Sequence, residues 1–374
     1  MRGLPLLLPW ALLASPAASQ EFRAPNGLRV LLDERHDHPL VRLELRVAWE
    51  GPESSGPLVA VLERSGAGGF GRAALERALA DRGLSLKLGG GRHSLGWSML
   101  ADSQAQEDAF EFLAHGVFRP SLAEGLAALR RHPKPSPEEA FRAALGLSVE
   151  DAGAPRLDLP GLLALHRRMV RPERALLIIQ GDLNLAQARQ LVMLHFGTWA
   201  PAQDPSVQGS GEPPSIPARQ TFPGAPRAAW AGSPAPEGGA PARAAHGLLA
   251  LLLERAFAGD PAIALEAPRP EGDAGAILFR TLPSAGPDPE RVLRERLEPL
   301  GVQGFQAADL EGAKRRWRAE RLTLALHPAE DLAARAERLL CGDPGANLEE
   351  VRLQDVNAAL RARLSSLHWL LRGD

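Results

Sequence analysis

The sequence predicts a fold of mixed strands and helices in which the second half of the chain repeats the first. Each half closes on an apolar strand that runs into Gly-Asp: ALLIIQGD at Ala175 to Asp182 and LHWLLRGD at Leu367 to Asp374. Between the halves, Ala202 to Pro217 is rich in Pro, Gly and Ser and lacks apolar periodicity, which reads as a linker. The 374 residues are too many for one ordinary core, and a hydrophobic content of 45% is enough for two.

At the start, MRGLPLLLPWALLASPAASQ carries one arginine, an apolar run from Leu4 to Leu13 and small residues at Ala17, Ala18 and Ser19. It reads as a secretory signal peptide occupying residues 1–19. The run is short for a bilayer span and no stop-transfer segment follows it, so a secreted or periplasmic protein with no membrane span is expected. NGLRVLLDE (Asn26 to Glu34) and PLVRLELRVAWEG (Pro39 to Gly51) read as strands. GPLVAVLERSGAGGFGR (Gly56 to Arg72) reads as a buried helix ending in a glycine cluster, followed by a helix over Arg72 to Leu88. Leu84 to Leu100 reads as a strand broken by Gly89, Gly90 and Gly91, and helices are expected over Ser103 to Pro120 and Leu122 to Arg131. Two more helical segments lead to Arg171, and a helix capped by Asn184 follows the closing strand. In the second half, strands are expected at Pro226 to Pro234 and Asp273 to Pro283. Helices are expected at Ala242 to Phe257, Asp288 to Leu300, Asp309 to Leu326, Ala329 to Leu340 and Leu353 to Leu364.

The formal charge of −2 is near neutral, and no lysine or arginine run is read as marking a nucleic-acid face. Arginine in excess of lysine and the absence of tyrosine read as genomic base composition. The single cysteine, Cys341, rules out an internal disulfide and reads as a buried inert thiol.

The NGLRVLL opening, the VRPERALLIIQGDLN segment and the order of elements resemble the insulinase/pitrilysin-like zinc metallopeptidases over nearly all of the chain from Asn26 to Asp374. The resemblance implies an α+β fold of two homologous domains, 20–201 and 218–374. Each would be a mainly antiparallel sheet with helices packed on one face. It also implies a zinc motif on the first helix, H-x-x-E-H, in which two histidines one turn apart grip the metal and the glutamate activates its water. The corresponding residues here are Ala60, Val61, Leu62, Glu63 and Arg64. Alanine offers no lone pair, and a guanidinium places a fixed positive charge where the cation would sit. Only Glu63 is retained, and without a metal-bound water it reads as an ordinary helix carboxylate. The family's third ligand, a glutamate on a later helix, falls at Ala128 within GLAALRR, with Glu124 as the alternative. The arginine and tyrosine that the family's second domain aims at the substrate carbonyl lie in a segment that looks deleted after LLLERAF, Leu251 to Phe257. Arg255, Arg269 and Arg280 are the arginines that remain nearby.

Other constellations read as structure. His36 and His38 flank Asp37 in a polar turn with no third ligand in reach. Gly89 to Gly91 with Arg92 and His93 lacks the lysine and helix start of a phosphate loop and reads as a strand bulge. His93 and Ser94 lack an acid partner and a nucleophile elbow. Trp97, Phe110, Phe112 and Phe118 fall at core spacings.

These observations predict no catalytic residue, no bound metal and no cofactor. The resemblance implies an inactive homologue serving as the structural or peptide-binding partner of a zinc-bearing peptidase subunit, as in the processing-peptidase type of heterodimer. Extended peptides are the implied ligands. A stand-alone peptide-binding scaffold is the alternative reading, and an active hydrolase with an unrecognised site is a third.

Overall fold

The computed structural model describes residues 19–49, 56–90, 94–131, 136–145, 158–201, 218–223, 227–234, 240–267, 276–324 and 350–373, with 332, 335, 336, 339 and 340 of one further helix. Residues 1–18 of the expected signal peptide, the linker at 202–217, Gly91, Arg92, His93, Arg269 and Cys341 lie outside the described residues.

The protein has an α+β fold built on two sheets. The first contains β1 (Gln20–Arg23), β2 (Arg29–Glu34), β3 (Leu40–Ala48), β4 (Ser85–Gly90), β5 (Ser94–Asp102) and β6 (Ala175–Gly181), in the order β1-β2-β6-β3-β5-β4. The second contains β7 (Arg219–Pro223), β8 (Ala228–Ser233), β9 (Ile263–Glu266), β10 (Ile277–Thr281) and β11 (His368–Gly373), in the order β7-β11-β8-β10-β9. Remove β1 and the two sheets are the same object. In each, the last strand pairs parallel with the first and antiparallel with the second, and the next two strands continue antiparallel outwards. The echo of ALLIIQGD in LHWLLRGD is therefore the echo of two central strands, β6 and β11.

Strand periodicity sets which residues enter the cores. On β3 and β5, Val41, Leu43, Leu45, Val47, Leu95, Trp97, Met99 and Ala101 point under the helices of the first half. Those helices are α1 (Gly56–Leu62), α2 (Arg72–Asp81), α3 (Gln106–Phe118), α4 (Leu122–Arg131), α6 (Leu159–Met169) and α7 (Leu185–Phe196). Phe110 and Phe112 belong to this core, as their spacing predicts, with Phe118 packed partly buried against it. In the second half, Ala229, Ala231, Ile277, Phe279, Trp369 and Leu371 pack under α8 (Ala240–Phe257), α9 (Pro289–Gln303), α10 (Ala307–Leu324) and α11 (Leu353–Ser365).

The opposite face of each sheet is also covered, by a helix from the other half. Phe141 and Leu145, on and just after α5 (Pro137–Ala144), pack on Ala228, Trp230, Leu278 and Leu370 of the second sheet. Leu332 and Ala336 pack on Leu31, Leu176 and Ile178 of the first. That double cover explains why β6 and β8 are buried at every residue and read as continuous apolar or small runs rather than as alternating ones.

Two sequence expectations need correction. The helix expected over Arg72 to Leu88 stops at Asp81, because Gly83 takes a φ of +66° and Leu84 leads into a strand. The single strand expected over Leu84 to Leu100 is the antiparallel pair β4 and β5, with Gly89 opposite Gly96, so Gly89 and Gly90 end β4 and do not form a bulge. Glycine matters differently at Gly125, where α4 crosses α1: a Cβ there would lie 2.2 Å from both Ser65 Oγ and Val61 O.

His36 joins the ends of β2 and β6, with Nδ1 2.7 Å from Asp182 and Nε2 2.8 Å from Glu34. Those two hydrogen-bonded carboxylates, Asp182 first, raise its pKa above the ordinary 6.5. A raised folded-state pKa contributes stability that is complete below pH 6.5 and is lost as the pH rises through the folded value. His36→Gln should therefore lower stability at about pH 5.5 to 6 and matter less at about pH 8, flattening the pH profile of the urea midpoint.

Candidate functional site

The residues that correspond to the metal motif sit at the end of α1. This helix is short, and Leu58, Val59, Ala60 and Val61 are fully buried. The Glu63 amide still donates to Val59 O at 2.9 Å. Beyond it the ladder tightens to three-residue spacing, Arg64 N to Val61 O at 3.1 Å and Ser65 N to Leu62 O at 3.1 Å. The helix thus closes within the motif, and the tighter spacing moves the Arg64 amide from Ala60 O to Val61 O.

Two side chains bond to these same carbonyls. Arg64 Nη1 reaches back one turn to Ala60 O at 2.8 Å, and Ser65 Oγ donates to Val61 O at 2.8 Å. A guanidinium at a helix C-terminus also complements the negative end of the helix dipole. Arg64 lies 3.8 Å from Glu63, whose carboxylate is partly exposed. At the first ligand position there is a buried methyl group, and at the second a cation already hydrogen-bonded to the helix. This donor set does not fit a zinc ion, which needs lone pairs converging on one point. Among the described residues no group of three or more His, Cys, Asp or Glu side chains is placed to hold a metal.

The later helix packs against α1 and carries both candidates for the third position. Ala128 is half-buried and has no donor atom. Glu124 is instead engaged by backbone amides, with Oε2 accepting from Gly66 N at 3.0 Å and Oε1 from Arg72 N at 2.9 Å. Its carboxylate thereby ties together the two ends of the glycine loop. The loop is fastened elsewhere as well, by Gly68 N to Arg119 O at 3.0 Å and Ser121 N to Gly66 O at 2.8 Å. Gly68 has a φ of +61°, and a Cβ there would lie 2.4 Å from His115 Nδ1. The loop backbone thus rests directly on an imidazole that burial holds below its ordinary pKa.

Beside this loop lies a groove of about 560 Å³, lined by Glu63, Leu75, Leu79, Leu86, Leu88 and Trp97 among others. Arg72, Glu76 and Lys87 also line it, so an apolar floor carries charges of both signs around it. One wall is β4, the outermost strand of the first sheet, where a Cβ on Gly89 would meet nothing within 4 Å. The sequence places a strand from Leu84, but as one run through Leu100 and overlapping a helix, so its being a separate edge strand was not apparent. The period-two spacing of Leu84, Leu86 and Leu88 after Gly83 is the signal for it.

In the second half, α8 ends at Phe257 and the chain turns at Gly259 straight into β9, so very little chain separates helix and strand. Arg255 is exposed and lies over Gly312 of α10, while Arg280 faces Glu138 at 3.8 Å. Neither reaches the groove lining. A buried polar cluster that sequence reasoning missed stands between α8 and α11. There Arg363 donates to Ser233 O at 3.2 Å and to His246 Nδ1 at 3.3 Å. Burial, and then Arg363, push the pKa of His246 down to about 4, so it is the neutral ring that accepts. His36, Asp37 and His38 form a surface turn that His36 ties to Glu34 and Asp182, and none of the three lines this groove. Ser94 is fully buried on β5, with its hydroxyl 3.4 Å from Arg46 Nη1.

Removing the Glu124 carboxylate should release the glycine loop. Glu124→Ala is expected to cost about 2 kcal/mol, the size of hydrogen bonds to a charged group. It should also speed hydrogen exchange at the Gly66 and Arg72 amides more than elsewhere, and unchanged protection at those amides would contradict the assignment.

No family model matches the chain, and no curated protein matches it. Solved structures do. A protease from Helicobacter pylori superposes with a TM-score of 0.72 at 12% identity, covering 95% of this chain and 99% of that one. The inactive domain of a peptidase M16 from Pseudomonas fluorescens gives 0.67 at 16% identity, covering 95% and 98%. The periplasmic protease PqqL from Escherichia coli gives 0.61 at 15% identity. It matches all of this chain, which spans 48% of that protein. The chain has the fold of the M16 peptidases, the group to which the insulinase and pitrilysin resemblance pointed.

Proposed function

We propose that this chain, with 20–201 and 218–374 as its two domains, is a catalytically inactive relative of the insulinase/pitrilysin-type zinc peptidases. It acts in a secreted or periplasmic setting as the structural or peptide-binding partner of a zinc-bearing subunit. The observation that carries this reading is Arg64, whose guanidinium caps α1 at the second ligand position while a buried methyl group fills the first. Ala60, Glu63, Arg64 and Ala128 are on this view the relic of a metal site, and Glu124 holds the adjoining loop. The fold shared with an inactive M16 domain and with a periplasmic protease supports the assignment. No helix among the described residues is long and apolar enough to cross a membrane.

The groove beside Glu63 supports peptide binding. An edge strand offers unpaired backbone donors and acceptors to an extended chain, and the apolar floor can take alternate side chains. Because the groove belongs wholly to the first half of one chain, it also favours a second reading, a stand-alone peptide-binding scaffold.

The purified chain should bind no stoichiometric zinc and cleave no unstructured peptide. Ala60→His with Arg64→His should not restore turnover, because the third ligand is also absent and catalytic units are not recovered piecemeal. The pair should also lower the melting temperature, since it forces an imidazole into a packed core and removes a helix cap. Metal analysis and a peptide digest check both points, and chelator-sensitive cleavage by the native chain would overturn the proposal. Co-expression with an intact H-x-x-E-H homologue, followed by sizing chromatography, separates the two roles. One stable complex supports the partner subunit, and separate monomers with retained peptide binding support the scaffold.

A further inference from the structure

The two helices that cross between the halves are built alike. On the second sheet, α5 seats Phe141 and Leu145 on an apolar surface of Ala228, Trp230, Ala276, Leu278 and Leu370. The fit is close: a Cβ on Gly232 would lie 2.2 Å from Leu145 Cδ1. Arg142 then grips Glu266 of edge strand β9 through both nitrogens, at 2.7 and 2.5 Å, and Glu138 faces Arg280 of β10 at 3.8 Å. In the other direction, Leu332 and Ala336 seat on Leu31, Leu176 and Ile178. Arg335 stands 4.0 Å from Asp33, a buried carboxylate that also accepts from Gln180 Nε2 at 2.9 Å and from Arg35. Each crossing helix therefore presents apolar anchors to the middle of the sheet and an arginine to a sheet carboxylate.

We propose that the two halves are mutual docking partners that remain associated when the linker 202–217 is cut, and that the matching half of a second copy can take either place. Separation would bare two apolar sheet faces, one carrying Trp230, Leu278 and Leu370, and would take Arg335 away from Asp33. Surfaces of that kind are kept covered in soluble proteins. The linker contributes proximity, and the crossed helices supply recognition by anchor residues and paired charges. Metal or peptide binding plays no part in this argument.

A protease site placed in the linker of the full chain tests it. After folding and cleavage, both pieces should elute as one particle with the size of the uncut chain. A tagged first half should, on mixing cleaved samples, capture an untagged second half. Arg142→Glu should raise the dissociated fraction of cleaved protein about tenfold or more, as reversal of a partly buried charge pair implies. Adding Glu266→Arg should reverse that effect. Pieces of the cleaved native chain that elute apart would overturn the proposal. If cleaved protein precipitates, the uncut chain decides: one thermal transition, lowered by Arg142→Glu and recovered by the double variant, supports docking, and two independent transitions overturn it.

Discussion

A central strand buried on both faces needs two covers, and most of this molecule follows from that need. β6 and β8 present apolar or small residues to both sides of their sheets. Helices of the same half cover one side. The other side is covered from across the chain, by α5 on the second sheet and by the helix carrying Leu332 and Ala336 on the first. Neither half can complete its burial alone. The glycine at position 232 and the ion pair between Arg142 and Glu266 belong to the same constraint, since one lets the crossing helix approach and the other fixes where it stops.

The end of α1 is held by side chains as well as by its own backbone ladder. A helix that closes after two turns leaves carbonyls that need donors. In this chain the Arg64 side chain supplies the donor to Ala60 O and Ser65 adds a second donor to Val61 O, with Glu124 fastening the loop that follows. These are neutralising and hydrogen-bonding roles. Glu63 keeps a partly exposed carboxylate on the groove wall. What persists beside it is shape: an apolar floor formed by α2, β4 and Trp97, next to an open strand edge.

Much of the fold was legible because it is written in local patterns. The alternation in PLVRLELRVAW is a strand with one face in a core, and LVRLELRVA became β3. The Asn184 cap, with Gln187 returning the bond, starts α7 where the residue types predict it. The shared Gly-Asp endings identify two equivalent central strands, whereas α1 closes at Leu62, before the glycine cluster expected to end it. The stretch from Arg72 to Leu100 was harder. Its leucines suit either a helix or a strand, and only the positive φ at Gly83 and the pairing of β4 with β5 decide between them.

By itself, then, the sequence determined the duplicated α+β plan, the lack of lone-pair donors at Ala60 and Arg64, and the burial of Trp97, Phe110 and Phe112, because each depends on residue type at a fixed local spacing. Tertiary structure decided which carbonyl Arg64 caps, that Glu124 ties a loop across 58 and 52 residues of chain, and that each sheet borrows a helix from the other half. Those outcomes depend on contacts between segments far apart in the chain, where direction and distance are set by packing and leave no periodic trace in the order of the residues.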